Sequence, residues 1–248
     1  MFRTSFRTSN PVFRSVSKHE GEYSDYQTTY KGVLFKLAIL IGAAILSAFG
    51  TLIPVTQGII SLESYVIILL VAVVVGFISC IIGCFATKTA MIWSLIYSMA
   101  EGVSLGYISA IYTVYVGNFI VPVALASTLA VALIMLLLYA SGIIKVNHKF
   151  RAILITSLIV VMITSIIMIF LPIDSTFMFI YIGVSFISAL IASLYLAVDY
   201  DNISKCVDAG VAKTYEWRLA MSLMVTLVWL YVEILRIAAF LARFANRN

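Results

Sequence analysis

The sequence predicts an all-α membrane protein, built as a bundle of seven transmembrane helices. Hydrophobic residues make up 63% of the 248-residue chain and charged residues only 11%, whereas a soluble domain is about half apolar and a quarter charged. A transmembrane helix needs about 20 apolar residues. Seven such stretches follow one another, over residues 33–55, 60–85, 90–115, 119–144, 152–172, 176–200 and 217–242.

Polar residues precede the first stretch. Residues 1–32 are rich in Ser, Thr and Tyr and lack the apolar core of a signal peptide. We interpret residues 1–32 as a mobile cytoplasmic tail and residues 33–248 as one seven-helix transmembrane domain. Pro54, Pro122 and Pro172 fall where predicted helices begin or end, which is where proline is best tolerated.

Lysine and arginine predict the orientation. Basic residues occur in the tail and in the connections after helices 2, 4 and 6, but not in those after helices 1, 3 and 5. Cytoplasmic connections carry the excess of basic residues, so we expect the N-terminus to be cytoplasmic. Arg243 and Arg247 conflict with this orientation, because seven spans place the C-terminus outside, whereas basic residues favour the cytoplasmic side. Either the early helices set the orientation or the last helix is re-entrant; we favour seven spans.

Small residues at four-residue spacing predict close contacts between helices in lipid. Helix 3 carries such a stripe at Ser98, Gly102, Gly106 and Ala110. Helix 6 carries another at Ser185, Ala189, Ser193 and Ala197, and the next position on this stripe is Asp201.

Four carboxylates lie in or at the ends of the predicted helices: Glu101, Asp199, Asp201 and Glu233. A charge at the centre of a membrane helix costs about 2.5–3.5 kcal/mol on insertion scales. Charges that occur there usually mark a pathway for ions or protons. The sequence therefore predicts a site that handles protons or cations.

Asp199 and Asp201 stand at the predicted end of helix 6. At a spacing of two residues they point about 160° apart on a helix, so both can face one ligand only where the helix unwinds. Alternatively, one of them is a solvated acid at the membrane boundary, where charge is far less costly. Lys88, in the connection after helix 2, lies on the same membrane side and is a candidate partner.

Glu101 and Glu233 are predicted to lie deeper. Glu101 is about 16 Å into helix 3; alternatively it is protonated and bonded to a serine or a backbone carbonyl. Arg236 follows Glu233 at i+3, so these two could simply neutralise each other. In the functional interpretation the carboxylates line a hydrated path, in which deprotonated acids attract cations and protonated acids do not.

Motifs for other chemistry are sparse. The two histidines, His19 and His148, lie outside the predicted helices, and no phosphate-binding loop or dinucleotide motif occurs. Tyr200-Asp201 matches one motif of intramembrane aspartyl proteases, but their second motif, Gly-x-Gly-Asp, is missing. We therefore expect no enzymatic activity, no cofactor, no tightly bound metal and no nucleic-acid partner.

Several stretches together resemble the Bax-inhibitor family, also called the transmembrane Bax inhibitor motif family. They are Ala100–Gly102 with Gly106–Ser109, Tyr139–Lys145, Val198–Asn202 and Trp229–Arg236. The opening Arg7–Phe13 is similar to a bacterial branch of that family. The resemblance covers nearly the whole chain and implies a location in a bacterial cell membrane.

The resemblance also implies a bundle with the last helix in the centre and a pH-sensitive calcium leak. In the family, an acid ending helix 6 and an acid in helix 7 share a proton, and a basic residue near helix 2 latches the closed state. In this sequence, the resemblance implies that the acid of helix 6 is Asp201 or Asp199 and that the acid of helix 7 is Glu233. Lys88 would be the basic residue that latches the closed state. Glu233 lies roughly 24 Å into helix 7, so Glu101 is the alternative partner at matching depth.

Two functions are therefore expected, from different classes. The first is a pH-sensitive cation leak channel in the lipid bilayer, permeable to Ca²⁺ or protons and gated by protonation of the membrane carboxylates. The second is a non-catalytic regulator that binds a membrane protease or a stress-response partner. The basic, tyrosine-containing tail modestly favours the second.

Overall fold

The computed structural model describes residues 27–170 and 178–245, and over these residues the chain is all-α. A single 3-10 turn, Thr87–Thr89, joins the second helix to the third. Within the described residues, β pairing is limited to an isolated bridge between Gln27 and Ala212. Seven long helices overlap the seven predicted stretches: α1 Tyr30–Thr56, α2 Leu62–Phe85, α3 Ala90–Val116, α4 Ile120–Ala140, α5 His148–Ile169, α6 Met178–Asp208 and α7 Tyr215–Ala245.

The outer faces of the helices identify the chain as a membrane protein. Six of the described helices, all except α3, are long and apolar enough to cross a membrane. Large apolar side chains point away from the protein; Phe77 is 64% exposed and Ile153 is 65% exposed. Soluble monomers rarely expose apolar patches of this extent. The chain is a multi-pass integral membrane protein, and its surroundings are the lipid bilayer.

Successive helices are antiparallel. Tyr65, early in α2, donates a hydrogen bond to the carbonyl of Val103, in the middle of α3 (3.3 Å), while Gly83, late in α2, lies beside Trp93, early in α3. We call the end of the bundle where α1 begins the base. Helices α2, α4 and α6 end at the base, and α3, α5 and α7 begin there.

The glycine stripe of α3 packs on α1. A Cβ atom at Gly102 would lie 2.2 Å from the carbonyl oxygen of Ala44, so no other residue fits there without a shift. One turn earlier, Ser98 donates a hydrogen bond to the carbonyl of Leu40. Small residues thus let the two backbones approach closely, as their spacing predicted.

Helix α7 has neighbours on most of its sides. It contacts α1, α3, α4 and α6, and to a smaller extent α2. Half of its apolar span is buried inside the protein, against 11% to 28% in the other five spans. Leu230 and Leu235 are 1% and 0% exposed. A polar side chain on α7 therefore finds its partners within the protein.

Helix α6 is longer than predicted, which corrects the placement of its acids. The sequence placed its end at residue 200, but α6 continues to Asp208. Asp199 and Asp201 therefore lie inside the helix and not at its end. The additional turns bury Ile203 and Cys206 in the main hydrophobic core, and this apolar face explains why the helix continues past two charged residues.

The base also includes part of the predicted tail. Helix α1 begins at Tyr30, and residues 27–29 lie against the connection between α6 and α7. The remainder of the predicted tail, residues 1–26, lies outside the described residues. So do Pro172, the Arg243 side chain and Arg247.

Candidate ion site

Asp199 is buried between α6 and α7, with 4% of its surface exposed. Both of its carboxylate oxygens accept hydrogen bonds from hydroxyl groups of α7. Ser222 donates to Oδ1 at 2.7 Å, and Thr226 donates to Oδ2 at 2.6 Å. Within the described residues no cationic side chain forms an ion pair with Asp199. It is a buried acid held by neutral donors.

Ser222 connects this buried carboxylate with the surface. Although its hydroxyl group reaches Asp199, the residue is exposed, whereas Thr226, one turn later, is buried. The two hydroxyl groups lie on one face of α7 because residues four apart are neighbours on a helix. Asp199 thus bonds to one residue that is exposed at the surface of the bundle and to one that is buried.

Asp201 faces the opposite way, towards α4 and α5. It forms ion pairs with Arg151 of α5 and with Lys205, one turn later on α6, at 2.6 Å. The Tyr139 hydroxyl of α4 lies 3.4 Å from its other oxygen, and Arg151 also donates to Asn202 at 2.9 Å. Since α6 is unbroken here, the two-residue spacing directs Asp199 and Asp201 to different neighbours, as predicted.

The expected pairing of Lys88 with these aspartates is not formed among the described contacts. Lys88 is exposed on the 3-10 turn after α2 and forms no ion pair with any described residue. Helix α2 packs mainly on α3, whereas α5 packs on α6. Arg151 and Lys205 are therefore the cations that pair with Asp201, although Lys88 stands at the same end of the bundle.

Glu233 lies at a second level of the contact between α6 and α7. It is 5% exposed and accepts a hydrogen bond from Ser188 of α6 at 2.8 Å. Its other oxygen pairs with Arg236 at 3.0 Å, so the i, i+3 ion pair is formed. Trp229 donates to the Ser188 hydroxyl at 2.9 Å, and Arg236 donates to Ser185 at 3.2 Å.

Glu101 lies apart from the other acids. It is half-buried on α3, its side chain interacts with Tyr97 one turn earlier, and its Oε1 lies beside Gly76 of α2. Glu233 has its partners on α6 and α7. The expected pairing of Glu101 with Glu233 at matching depth is therefore not formed among the described contacts.

The family's expected pair of acids on helices 6 and 7 is not formed either. Asp201 and the Glu233 partner Ser188 are about 20 Å apart along α6 at about 1.5 Å per residue. Asp199 instead meets two hydroxyl groups of α7. The four predicted acids thus occupy separate environments: Asp199 and Asp201 back to back near the base, Glu233 further along α6, and Glu101 against α2.

Sequence reasoning missed the residues that complete these environments. Ser222 and Thr226 carried one available signal, since two hydroxyl groups one turn apart on a membrane helix tend to bond across helices. Arg151 was assigned to a connection, but it lies in the first turns of α5. Glu216 was placed just outside helix 7, but it is fully buried and paired with Lys36 of α1.

Among the described residues, no group of three or more His, Cys, Asp or Glu side chains is placed to hold a metal ion. The arrangement instead offers single carboxylates with hydroxyl or cationic partners. Such groups can exchange protons and can contact a passing cation. They are not arranged to retain a cation tightly, because calcium sites in proteins supply six to eight oxygen ligands.

Comparison with known proteins confirms the resemblance found in the sequence. A family model described as Bax inhibitor 1 like matches residues 10–243, which include all seven described helices apart from the last residues of α7. No curated protein matches the chain. The match covers nearly the whole chain and agrees with the all-α, multi-pass fold. The chain belongs to the Bax inhibitor 1 like family.

Proposed function

We propose that the protein is a pH-sensitive leak channel for cations, Ca²⁺ among them, with Asp199 as its central ion- and proton-binding group. One observation carries the proposal. Asp199 is 4% exposed, yet among the described residues its carboxylate is held by the hydroxyl groups of Ser222 and Thr226 alone. Buried carboxylates are normally paired with a cation, so this one leaves its charge available for a proton or a metal ion.

The hydroxyl partners suit a group that changes protonation state. A hydroxyl group is both a donor and an acceptor. Ser222 and Thr226 can donate to the ionised carboxylate, and either can rotate to accept from the protonated one. The site therefore tolerates both states without a movement of the backbone. Ionised, it attracts a cation; protonated, it does not.

The oxygen set suits transit of a hard cation. Two carboxylate oxygens and two hydroxyl oxygens are ligands that Ca²⁺ accepts, but they fill only part of its coordination shell. A passing ion would retain water for the remainder. Conduction requires binding weak enough for the ion to leave again, and a single carboxylate meets that requirement better than a cage of several.

Asp201 supplies the second element of the proposal, a latch at the base. Its pair with Arg151 ties α5 to the segment of α6 that carries Asp199, and its pair with Lys205 lies within α6. Loss of the pair with Arg151 would free this segment of α6 from α5. Arg151 thus takes the role for which the resemblance proposed Lys88.

The topology that we propose has seven spans, including α3, with α7 in the centre and the base in the cytoplasm of a bacterial cell. Basic side chains concentrate at the base, as the cytoplasmic side of membrane proteins requires. They are Lys31, Lys36, Lys88, Lys145, Lys149, Arg151, Lys205, Lys213 and Arg218. The proposal assigns the protein no catalytic role.

Calcium flux into liposomes that contain the purified full chain tests the proposal. We expect flux to depend on pH between about pH 4, near the ordinary pKa of a carboxyl group, and about pH 8, which a fully buried carboxyl group can reach. Asp199→Asn should lower flux at least about tenfold, which corresponds to about 1.4 kcal/mol of lost cation binding, and should remove the pH dependence. Asp208→Asn is the matched control, because Asp208 is an exposed acid at the end of the same helix.

A hydroxyl variant makes the test sharper. Thr226→Val keeps the shape of the side chain and removes one donor to Asp199, so we expect it to alter the pH profile. Thr128→Val, on α4, is its control, since that buried hydroxyl bonds only to the Ala124 carbonyl of its own helix (2.7 Å). Flux that is absent at every pH, or identical in Asp199→Asn and wild type, contradicts the proposal. Absent flux in a folded protein would favour the alternative, a regulator of a membrane protein partner.

A further inference from the structure

The segment before α1 is fastened to the connection between α6 and α7. The Thr28 amide donates to the Val211 carbonyl at 2.7 Å, and the Thr28 hydroxyl donates to the Ala212 carbonyl at 3.0 Å. Gln27 and Ala212 form an antiparallel bridge. Thr28 is only 2% exposed although it precedes the first helix. Gln27–Thr29 are therefore a fixed part of the base.

The same segment reaches a buried carboxylate in the first turn of α7. Glu216 is 0% exposed, and its Oε1 accepts hydrogen bonds from the Thr29 amide at 2.9 Å and from the Thr29 hydroxyl at 3.2 Å. Its Oε2 pairs with Lys36 of α1, whose ammonium group also lies 5.5 Å from the centre of the Trp217 ring. Among the described residues, the hydrogen-bond and ion-pair partners of Glu216 thus all come from the chain around the start of α1.

Gly32 provides the space for this carboxylate. A Cβ atom at Gly32 would lie 2.1–2.4 Å from the carboxylate atoms of Glu216, so any side chain there would displace them. Displacement is not a simple rotation, because Glu216 is fully buried and its contacts with Thr29 and Lys36 would be lost. By contrast, a Cβ atom at Gly42, further along α1, would meet nothing within 4 Å.

A buried ion pair of this kind adds little net stability, because both charges lose their water; its best-established use is to fix the register of packed helices. Glu216 is about 9 Å from Ser222 and about 15 Å from Thr226 along α7, at about 1.5 Å per residue. A slide or rotation of α7 against α1 would therefore move both hydroxyl groups relative to Asp199. Since Thr28 also holds the connection that follows α6, one segment restrains the positions of both helices.

We propose that Gln27–Thr29, Lys36 and Glu216 form an N-terminal clamp, which holds α6 and α7 in the register that places Ser222 and Thr226 on Asp199. Glu216 is a positioning residue for the ion site, and the clamp restrains the leak. The statement about the leak rests on the proposed function. The statement about register does not, and it is tested separately.

Hydrogen exchange of the full chain in lipid nanodiscs tests the register. Gly32→Ala displaces the Glu216 carboxylate, and Glu216→Gln removes its charge while keeping its size. Loss of a hydrogen bond to a charged group corresponds to a factor of roughly 10 to 100. We expect exchange to be faster by about this factor over residues 209–226 in both variants, and unchanged in the control Gly42→Ala. Exchange as in wild type in Glu216→Gln overturns the proposal, even where Gly32→Ala does not fold.

A disulfide cross-link tests whether the faster exchange caused by Gly32→Ala can be reversed. A disulfide between Gln27→Cys and Ala212→Cys, which are paired across the bridge, should restore slow exchange in the Gly32→Ala background, and a reducing agent should abolish the effect. Failure to restore slow exchange contradicts the clamp.

Calcium flux into liposomes then separates the two proposals. Gly32→Ala and Glu216→Gln, which break the clamp, should leak at least about threefold faster than Gly42→Ala. The cross-link should lower this flux in the Gly32→Ala background. Suppose that exchange is faster but flux is unchanged, while Asp199→Asn still lowers flux. The clamp then does not restrain the leak, and the proposed function is unaffected. Absence of flux in every variant contradicts the proposed function. Hydrogen exchange over residues 209–226 is then the test of whether the clamp sets the register of α6 and α7.

Discussion

The contact between α1 and α3 gives a prediction whose size follows from measured distances. Gly102→Ala would place a methyl group 2.2 Å from the carbonyl oxygen and 2.8 Å from the Cα atom of Ala44. Because carbon and oxygen normally approach to about 3.3–3.6 Å, the two helices must separate by roughly 1 Å. The obstacle is backbone, so no side-chain rotation relieves it.

The expected loss of stability has two parts. Overpacking of a close contact costs about 1–3 kcal/mol, and the hydrogen bond from Ser98 to the Leu40 carbonyl, one turn away, contributes about 1 kcal/mol more. Replacement of a helical glycine by alanine returns about 0.5–1 kcal/mol. The net effect is a loss of about 2 kcal/mol. For a chain of this size that corresponds to about 4–8 °C in Tm.

Thermal unfolding in detergent, followed by tryptophan fluorescence, measures the effect. Gly42→Ala is the control, since its new methyl group meets nothing within 4 Å, and its Tm should be unchanged or slightly raised. Gly106→Ala should fall between the two, because its closest contact is the Ala48 Cβ atom at 3.2 Å. A Gly102→Ala protein that melts at or above Gly42→Ala would refute the close packing of α1 on α3.

Two further predictions concern the polar contacts of α6. Arg151→Met should raise calcium flux in liposomes more than Lys205→Met. The Arg151 side chain is the less exposed partner of Asp201, at 21% against 44%, and exposed ion pairs contribute less. Equal flux in both variants would contradict the latch. Trp229→Phe removes the donor to Ser188 and should lower stability by about 1 kcal/mol, measured as a fall in Tm. An unchanged Tm would show that the indole contributes nothing to holding that serine.

The helices were predictable because their signal is local. The length of an apolar run is compared directly with the thickness of the bilayer, and small residues four apart mark a close face wherever they occur. The stripe at Gly102 and the ion pair between Glu233 and Arg236 follow from spacing within one helix. Both are present in the structure.

Partners between helices were not predictable in this way. Hydropathy leaves charged residues near helix ends outside the predicted spans, so the spans beginning at 152 and 217 left out Arg151 and Glu216, although each is a partner in a base contact. Lys88 was chosen because it lies on the same membrane side as Asp201. Sharing one side does not make two residues neighbours, because that depends on which helices pack together.

The contact between α6 and α7 shows what the proposed channel requires in order to conduct. Its two polar levels, at Asp199 and at Glu233, are separated by about 10 Å along α7, from Thr226 to Glu233 at about 1.5 Å per residue. Across from this interval, α6 presents Ala192 and Leu196, both 0% exposed. A cation that left Asp199 would meet hydrocarbon before it reached the next carboxylate.

Protonation of Asp199 alone leaves that apolar interval in place, so it governs whether an ion binds and not whether the ion passes. Passage needs α7 to move relative to α6, which would bring the two levels together or admit water between them. Besides the hydrogen bonds at Asp199 and Glu233 themselves, contacts at the base resist such a movement, where Arg151 holds Asp201 of α6 and Lys36 holds Glu216 of α7. Ion binding and gating are therefore expected to separate in experiments: variants at Asp199 change pH dependence and ion affinity, whereas variants at the base change the rate of leakage.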